Sequence, residues 1–257
     1  MTATPVSRGS RDHYRLPHVA RMEWIKLRSL RSTWWTLAIT IGGAIGIAIA
    51  VGVNTKNPRG DLTNNALGGI ALGLLLTGVL GVLVMTGEYS SGMIRATLTA
   101  IPSRPLVLAA KAAVFGAVAL ATGESASFTA FFAGGAALPA RIPAPALGQP
   151  GVLRAVLLAG TGYCLIGLIG LGLGAVIRHT PAAIAVLVGG VYLLASMFGG
   201  FRHSVIGYMP VEIVANSLAA VKPITGALSP WAGLGLLCLY AAIALGLGGW
   251  LLARRDA

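Results

Sequence analysis

Long apolar runs dominate the chain, and they limit its fold more than any other feature. Of its 257 residues, 56% are hydrophobic and 10% are charged, whereas an ordinary globular domain is about 25% charged. A helix needs about 20 mostly apolar residues to cross a bilayer, with about 17 to 25 tolerated. The sequence therefore predicts an all-α, polytopic membrane protein with six transmembrane helices. The six runs are 34–53, 66–86, 106–132, 152–177, 182–198 and 231–253.

The basic residues predict how these spans are oriented. Of the 19 Lys and Arg residues, thirteen fall on the side that carries both termini and six on the other. Because cytoplasmic segments are enriched in Lys and Arg, both termini are expected in the cytoplasm of a multi-pass protein of the cell (plasma) membrane. The net charge is +12. The basic residues responsible for it flank the spans, where they meet anionic lipid headgroups. Their position therefore predicts contact with the lipid bilayer and no nucleic-acid partner.

The spans leave little room for a second domain. Residues 1–17 are polar and basic and contain proline and glycine, a composition typical of a disordered tail. Residues 18–257 are then expected to form a single transmembrane domain.

A helix is predicted before the first span, over Val19–Thr33. Its apolar residues Leu27, Leu30 and Trp34 recur at helical spacing, and arginines occupy another face. Such a helix is expected to lie at the membrane interface on the cytoplasmic side. A plain basic flank that only sets the topology explains the same residues.

Glycines inside the spans predict close helix packing. Gly170 and Gly174 are one such pair, four residues apart. Small residues at this spacing let helix backbones approach one another in lipid. A tight bundle is expected.

A short polar insert separates the second and third spans. It reads EYSSGMIRATLTAIPSR, from Glu88 to Arg104. Ile94, Leu98 and Ile101 lie at i, i+4 and i+7, so the insert predicts a short amphipathic helix. The helix is expected to stop before Pro102, because a residue that precedes proline avoids helical geometry.

Two stretches resemble the permease subunits of ABC-2 type ABC transporters, especially the compact six-span permeases of actinobacteria. They are MEWIKLRSLRSTWWTL, which leads into the first span, and GEYSSGMIRATLTAIPSRPLVLAAK. The resemblance implies the membrane-spanning permease subunit of an ATP-driven transporter, with export as its direction. It also implies two kinds of partner: a separate P-loop ATPase subunit, and a second permease copy or a paralogue.

The same resemblance implies a role for the insert. In that family, the cytoplasmic helix after the second span is the coupling helix, which seats on the ATPase. Carried over, Met93, Ile94 and Leu98 are the expected contacts and Arg95 the expected charge partner. The alternative is an amphipathic loop helix that lies on the headgroups. The matching positions in this chain are Glu88, Gly92, Met93, Ile94, Arg95, Leu98 and Ile101.

The sequence contains no ATP-binding motif. A P-loop requires glycines followed by Gly-Lys-Ser/Thr, and none of the four lysines follows a glycine. ATP and Mg are therefore expected on the partner subunit, with no cofactor or metal on this chain. Aspartate occurs only three times, and nucleophile-elbow and zinc-helix motifs are absent. The chain is therefore predicted not to be an enzyme.

Glu124 lies near the middle of the third apolar run. An ionisable residue inside a membrane is a candidate functional residue, and Thr122, Ser125 and Thr129 are nearby in sequence. These four residues are candidates for a translocation path. Glu124 could equally carry a proton, or pack between helices as a protonated or hydrogen-bonded residue. Two other functions stay open: a gradient-driven transporter or channel, and a membrane accessory or sensor protein that transports nothing.

Overall fold

A computed structural model of the chain describes residues 15–56, 62–101, 103–193, 207–218, 220 and 228–254. Within these ranges every regular element is a helix. The helices are α1 (Leu16–Ser29), α2 (Arg31–Asn54), α3 (Leu62–Ala66), α4 (Ile70–Ser90), α5 (Met93–Ala100), α6 (Arg104–Ala136), α7 (Val152–Ile177), α8 (Thr180–Leu187) with a π-helical continuation (Val188–Leu193), α9 (Pro210–Ser217) and α10 (Pro230–Arg254).

Among the described residues, five helices are long and apolar enough to cross a membrane. These are α2, α4, α6, α7 and α10, and each coincides with a predicted run. Helix α6 is longer than predicted, at 33 residues, or about 50 Å at 1.5 Å per residue. That length exceeds the roughly 30 Å of bilayer hydrocarbon. With these five helices, the chain has the architecture of a polytopic helical membrane protein.

The fifth predicted span, 182–198, is not seen as a full-length helix. Helix α8 and its π-helical continuation occupy its first part, and the apolar helix Thr180–Val191 is shorter than a membrane span. Residues 194–198 lie outside the described ranges. The sixth transmembrane helix therefore stays a prediction.

The helix before the first span exists, but its boundaries differ from the prediction. It runs from Leu16 to Ser29, so its first turn includes two residues of the segment predicted to be disordered. The chain leaves helical geometry at Leu30, which is half exposed, and α2 begins at the next residue. The buried face is formed by Val19, Glu23 and Leu27, and this face packs against α6. Leu30 was therefore wrongly predicted as part of the apolar face.

Helix α7 forms the centre of the bundle. It packs against α4, α6 and α10, and 72% of its apolar window is buried, compared with 28% for α2 and 22% for α10. Close contact between α4 and α7 depends on glycine. A Cβ on Gly81 would lie 2.1 Å from Gly167 O, and a Cβ on Gly170 would lie 2.1 Å from Gly78 O. The close packing predicted at Gly170 is confirmed.

Basic residues gather at one end of the bundle, where α6 begins and α7 and α10 end. Arg104, at the start of α6, donates a hydrogen bond to Leu252 O near the end of α10 (3.0 Å). Arg178, just after α7, donates to Leu251 O (3.4 Å). Helices α1 and α5 pack at this end too, and we call it the basic end.

Candidate functional site

Four charged side chains form a closed ring at the basic end. Glu23 and Lys26 belong to α1, Glu88 to the last turn of α4, and Lys111 to α6. The Lys26 ammonium donates to Glu23 Oε1 (3.1 Å) and Glu88 Oε1 (2.9 Å). The Lys111 ammonium donates to Glu88 Oε1 (2.8 Å) and to Glu23 Oε2. Positive and negative groups alternate around this charge ring, which ties three helices together.

The charge ring is largely withdrawn from water. Glu23 and Lys111 are each 3% exposed and Glu88 is 6% exposed, while the side chain of Lys26 is 25% exposed. A buried charge costs several kcal/mol unless partners in good geometry compensate for it. Here each ammonium contacts both carboxylates, so every charge in the ring has two opposite neighbours.

Lys26 illustrates how the ring holds its charge. Burial alone would lower the pKa of Lys26, but the hydrogen bond that Lys26 donates to Glu88 and the negative charges of Glu23 and Glu88 outweigh burial and raise that pKa. Lys26 therefore stays protonated at neutral pH. Its contribution to stability is fully present below the usual lysine pKa and is lost only as the pH rises through the raised value.

Helix α5, the predicted amphipathic helix, is attached to this ring. The Lys26 ammonium also donates to Thr97 Oγ1 (3.0 Å). Thr97 and Ile94 are buried and form the inner face of α5, and Ile101, the buried residue that follows the helix, extends that face. Ile101 packs with Val19 of α1 and with the start of α6. Because of these contacts, α5 is held against α1 and α6 as well as following α4.

The turn between α4 and α5 requires glycine. Gly92 has a φ of 69°, in the left-handed region that other residues rarely adopt. A Cβ at Gly92 would meet no atom within 4 Å, so the backbone conformation, and not a lack of space, explains the residue. Gly92 turns the chain so that α5 leaves the axis of α4.

The predicted coupling residues divide between the two faces of α5. Gly92 and Arg95 are exposed, Met93 is 47% exposed, and Leu98 is half-buried. Glu88, Ile94 and Ile101 are instead buried in contacts with their own chain. Of the residues expected to contact a partner, Ile94 is therefore unavailable in this conformation. The outward face presents one methionine, one arginine and small residues.

Glu124 lies between α6 and α7, away from the charge ring. Its carboxyl group packs against Gly160, where an added Cβ would lie 2.5 Å from Glu124 Cδ. Thr161 Oγ1 is 3.5 Å from Glu124 Oε1 but only 2.8 Å from Leu157 O, its nearer acceptor. Glu124 Oε2 is buried and accepts no hydrogen bond within the described structure. Glu124 is therefore a poorly partnered acid.

The other candidate path residues do not gather around Glu124. The Ser125 hydroxyl donates to Ala121 O (2.7 Å) and the Thr129 hydroxyl to Ser125 O (2.6 Å), both within α6. Ser125 and Thr129 are exposed, whereas Thr122 is buried. Successive residues rotate by about 100° around a helix, so Glu124 faces away from these three hydroxyls. The predicted path residues therefore do not form one polar face.

The charge ring was only partly predictable. Of its four members, the sequence singles out only Glu88, as part of the insert. One signal was available, since the chain has only seven acidic residues and Glu23 lies three residues before Lys26 in an apolar helix face. Pairing across 62 and 88 residues of sequence is decided by the packing of α1 on α6, which local pattern does not reveal.

Comparisons with other proteins add no identification. No protein-family model matches the chain, and no curated protein matches it. Within the described ranges, no group of three or more His, Cys, Asp or Glu residues is placed to hold a metal ion. Any functional conclusion therefore depends on the charge ring, on α5 and on Glu124.

Proposed function

We propose that the chain is the membrane-spanning permease subunit of an ATP-driven ABC transporter of the ABC-2 type, and that it acts in export. One observation carries this proposal: α5 is a separate short helix whose inner face is fastened to a buried charge ring, while its outer face stays free. A loop helix that merely lies on headgroups needs no such fastening. The resemblance of the α5 segment to the family's coupling helix supports the same function.

The contacts of α5 supply a route for mechanical coupling. A partner that presses on Met93 and Arg95 moves α5, which is joined to Lys26 through Thr97. Lys26 is in turn joined to Glu88 at the end of α4, and Lys111 joins Glu88 to α6. Breaking these links exposes buried charges to an apolar environment, which is costly. The proposed consequence is that α1, α4, α5 and α6 move together when the ATPase closes.

The proposal places the energy source on another polypeptide. ATP and Mg bind the P-loop ATPase subunit, and this chain supplies its docking helix. A second permease, identical or paralogous, completes the translocation path. The excess of Lys and Arg at the basic end supports a cytoplasmic location for that end and for both termini, in the plasma membrane.

Co-purification of the tagged protein from its native membranes in mild detergent tests this proposal. The test variant is Met93→Asp with Arg95→Glu, because both side chains are exposed and the changes leave the buried face of α5 intact. Arg141→Glu is the matched control, since Arg141 is an exposed arginine outside the basic end.

We expect a P-loop ATPase to co-purify with the wild type and with Arg141→Glu but not with the double variant. ATP hydrolysis should likewise be found in the preparations of the wild type and of Arg141→Glu, and not in that of the double variant. All three proteins should elute as the same folded species in gel filtration. Absence of an ATPase from the wild type in several mild detergents would contradict the ABC assignment.

A gradient-driven transporter is the second candidate, and the environment of Glu124 favours it. A carboxyl group inside a span with one unpartnered oxygen is suited to bind a proton or a cation. In that case, transport by the purified protein in vesicles follows an imposed ion gradient without any ATPase. If transport requires ATP and the second polypeptide, this candidate is rejected.

A further inference from the structure

A cavity of about 270 Å³ lies beside the charge ring. The ring residues border one side of it, but most of its lining is apolar. The apolar lining comes from the α1–α2 corner, from α4 and from α6: Leu27, Leu30, Leu83, Val84, Val114 and Phe115.

The cavity extends from the basic end into the membrane-crossing part of the bundle. Leu83 lies seven residues before the end of α4, a distance of about 10 Å along the helix. Leu83 is 43% exposed and Leu30 is 50% exposed, so the cavity opens to the surface of the bundle at these residues. An apolar cavity that opens within the depth of a bilayer is filled most readily by a hydrocarbon chain.

Two exposed arginines flank the segment that forms the edge of the cavity. Ser29 and Leu30 line the cavity, and the residues on either side of them, Arg28 and Arg31, have exposed side chains. The carboxylates of the nearby charge ring are already paired with the two lysines, so they do not neutralise these arginines. Exposed arginines at the edge of a bilayer attract anionic headgroups.

We infer that this cavity binds one acyl chain of an anionic phospholipid, whose headgroup contacts Arg28 and Arg31. The lipid comes from the leaflet at the basic end. It fills the apolar space between α1, α4 and α6 and thereby supports the same corner that holds the charge ring. This inference does not depend on the transport function proposed above.

Gly87 provides a way to fill the cavity without disturbing the fold. It lines the cavity, and a Cβ at this position would meet no atom within 4 Å. Leucine also has a higher helix propensity than glycine. Gly46→Leu in α2 is the matched control, because Gly46 is also a helical glycine with no atom within 4 Å of an added Cβ.

Native mass spectrometry with added lipids tests the proposal. The full-length protein is titrated with phosphatidylglycerol and with phosphatidylcholine of identical acyl chains. We expect one phosphatidylglycerol to bind wild type and Gly46→Leu more tightly than phosphatidylcholine does. Gly87→Leu occupies the room of a few methylene groups, so its affinity for phosphatidylglycerol should fall about ten- to a hundredfold.

The headgroup contact is tested separately. Arg28→Gln with Arg31→Gln should remove the preference for phosphatidylglycerol, while Arg15→Gln with Arg141→Gln should keep it. Equal retention of phosphatidylglycerol by Gly87→Leu and wild type overturns the proposal, as does equal binding of the two lipids to wild type. If Gly87→Leu instead loses a co-purifying protein and keeps its lipid, the cavity receives a partner side chain and the lipid proposal fails.

Discussion

The charge ring and Glu124 are two ways of placing acidic groups in an apolar helical bundle. In the ring, two carboxylates meet two ammonium groups, and each charge has two opposite neighbours. Glu88 and Glu124 each have one buried oxygen without a hydrogen-bond partner among the described residues, Glu88 Oε2 and Glu124 Oε2. Glu88 Oε1, however, accepts from both lysines, whereas Glu124 has only one distant hydroxyl at 3.5 Å within the same part of the chain. The ring is a joint between helices that depends on all of its members. Glu124 contributes little to holding α6 and α7 together, so a different reason is needed for its presence.

Among the variants that test this comparison, Lys111→Met should lower the free energy of unfolding most. It leaves Glu23 and Glu88 buried with only Lys26 as a shared partner, and breaking a buried pair in this way costs about 3–5 kcal/mol. We expect a loss of that size in the free energy of unfolding, measured by denaturant titration in detergent micelles.

Lys56→Met is the control for this variant, because Lys56 is exposed and surface changes are usually within about 0.5 kcal/mol. Adding Glu23→Gln to Lys111→Met should recover part of the loss, since it removes one uncompensated charge. A Lys111→Met protein as stable as the wild type would show that the ring does not join the helices.

Gly160→Ala should have an intermediate effect. The new methyl group would lie 2.5 Å from Glu124 Cδ, so the Glu124 side chain must shift, at a cost of about 1 kcal/mol. In a Glu124→Ala background the same substitution should cost nothing, because the obstructing carboxyl group is gone. Unfolding of the four proteins of this double-mutant cycle measures the coupling. An unchanged cost in the Glu124→Ala background would mean that Glu124 does not rest on Gly160.

Glu124→Gln should have the smallest effect on stability, within about 1 kcal/mol, because the carboxyl group has so little to lose. Its effect on transport sharpens the functional choice. If the protein is an ATP-driven permease in which Glu124 only packs, substrate-stimulated ATP hydrolysis by the complex stays near the wild-type rate. If Glu124 carries a proton or a cation, gradient-driven uptake into vesicles is lost while the fold is retained. A large loss of stability in Glu124→Gln would show that Glu124, like the charge ring, helps to hold the helices together.

The sequence predicts the membrane-crossing helices well, because each of them is marked by a long run of apolar residues. Five of the apolar runs extend over 20 or more residues, so hydropathy alone identifies the helices that the structure shows. The short helix α5 was also predicted, since the spacing of Ile94, Leu98 and Ile101 and the position of Pro102 gave both its type and its end. These signals are local, and local signals can be read from one sequence.

Other parts could not be predicted because they depend on contacts between distant residues. The break at Leu30 reflects the separate packing of α1 on α6, and nothing in its neighbours marks a turn. The inward orientation of Ile94 and the outward orientation of Arg95 depend on where α1 lies. The contact of Glu124 with Gly160 likewise depends on how α6 packs against α7.

The glycine contacts between α4 and α7 have a consequence for how the bundle can deform. Backbone lies against backbone at Gly81 with Gly167 and at Gly78 with Gly170, and larger residues occupy the next positions along both helices. A shift of either helix along its axis by one residue would drive a side chain into a carbonyl group. Sliding of α4 past α7 is therefore sterically opposed, and we expect the two helices to move as one rigid unit. Helix α5 follows the end of α4. A small displacement of α5 is therefore expected to tilt α4 and α7 together along their whole length.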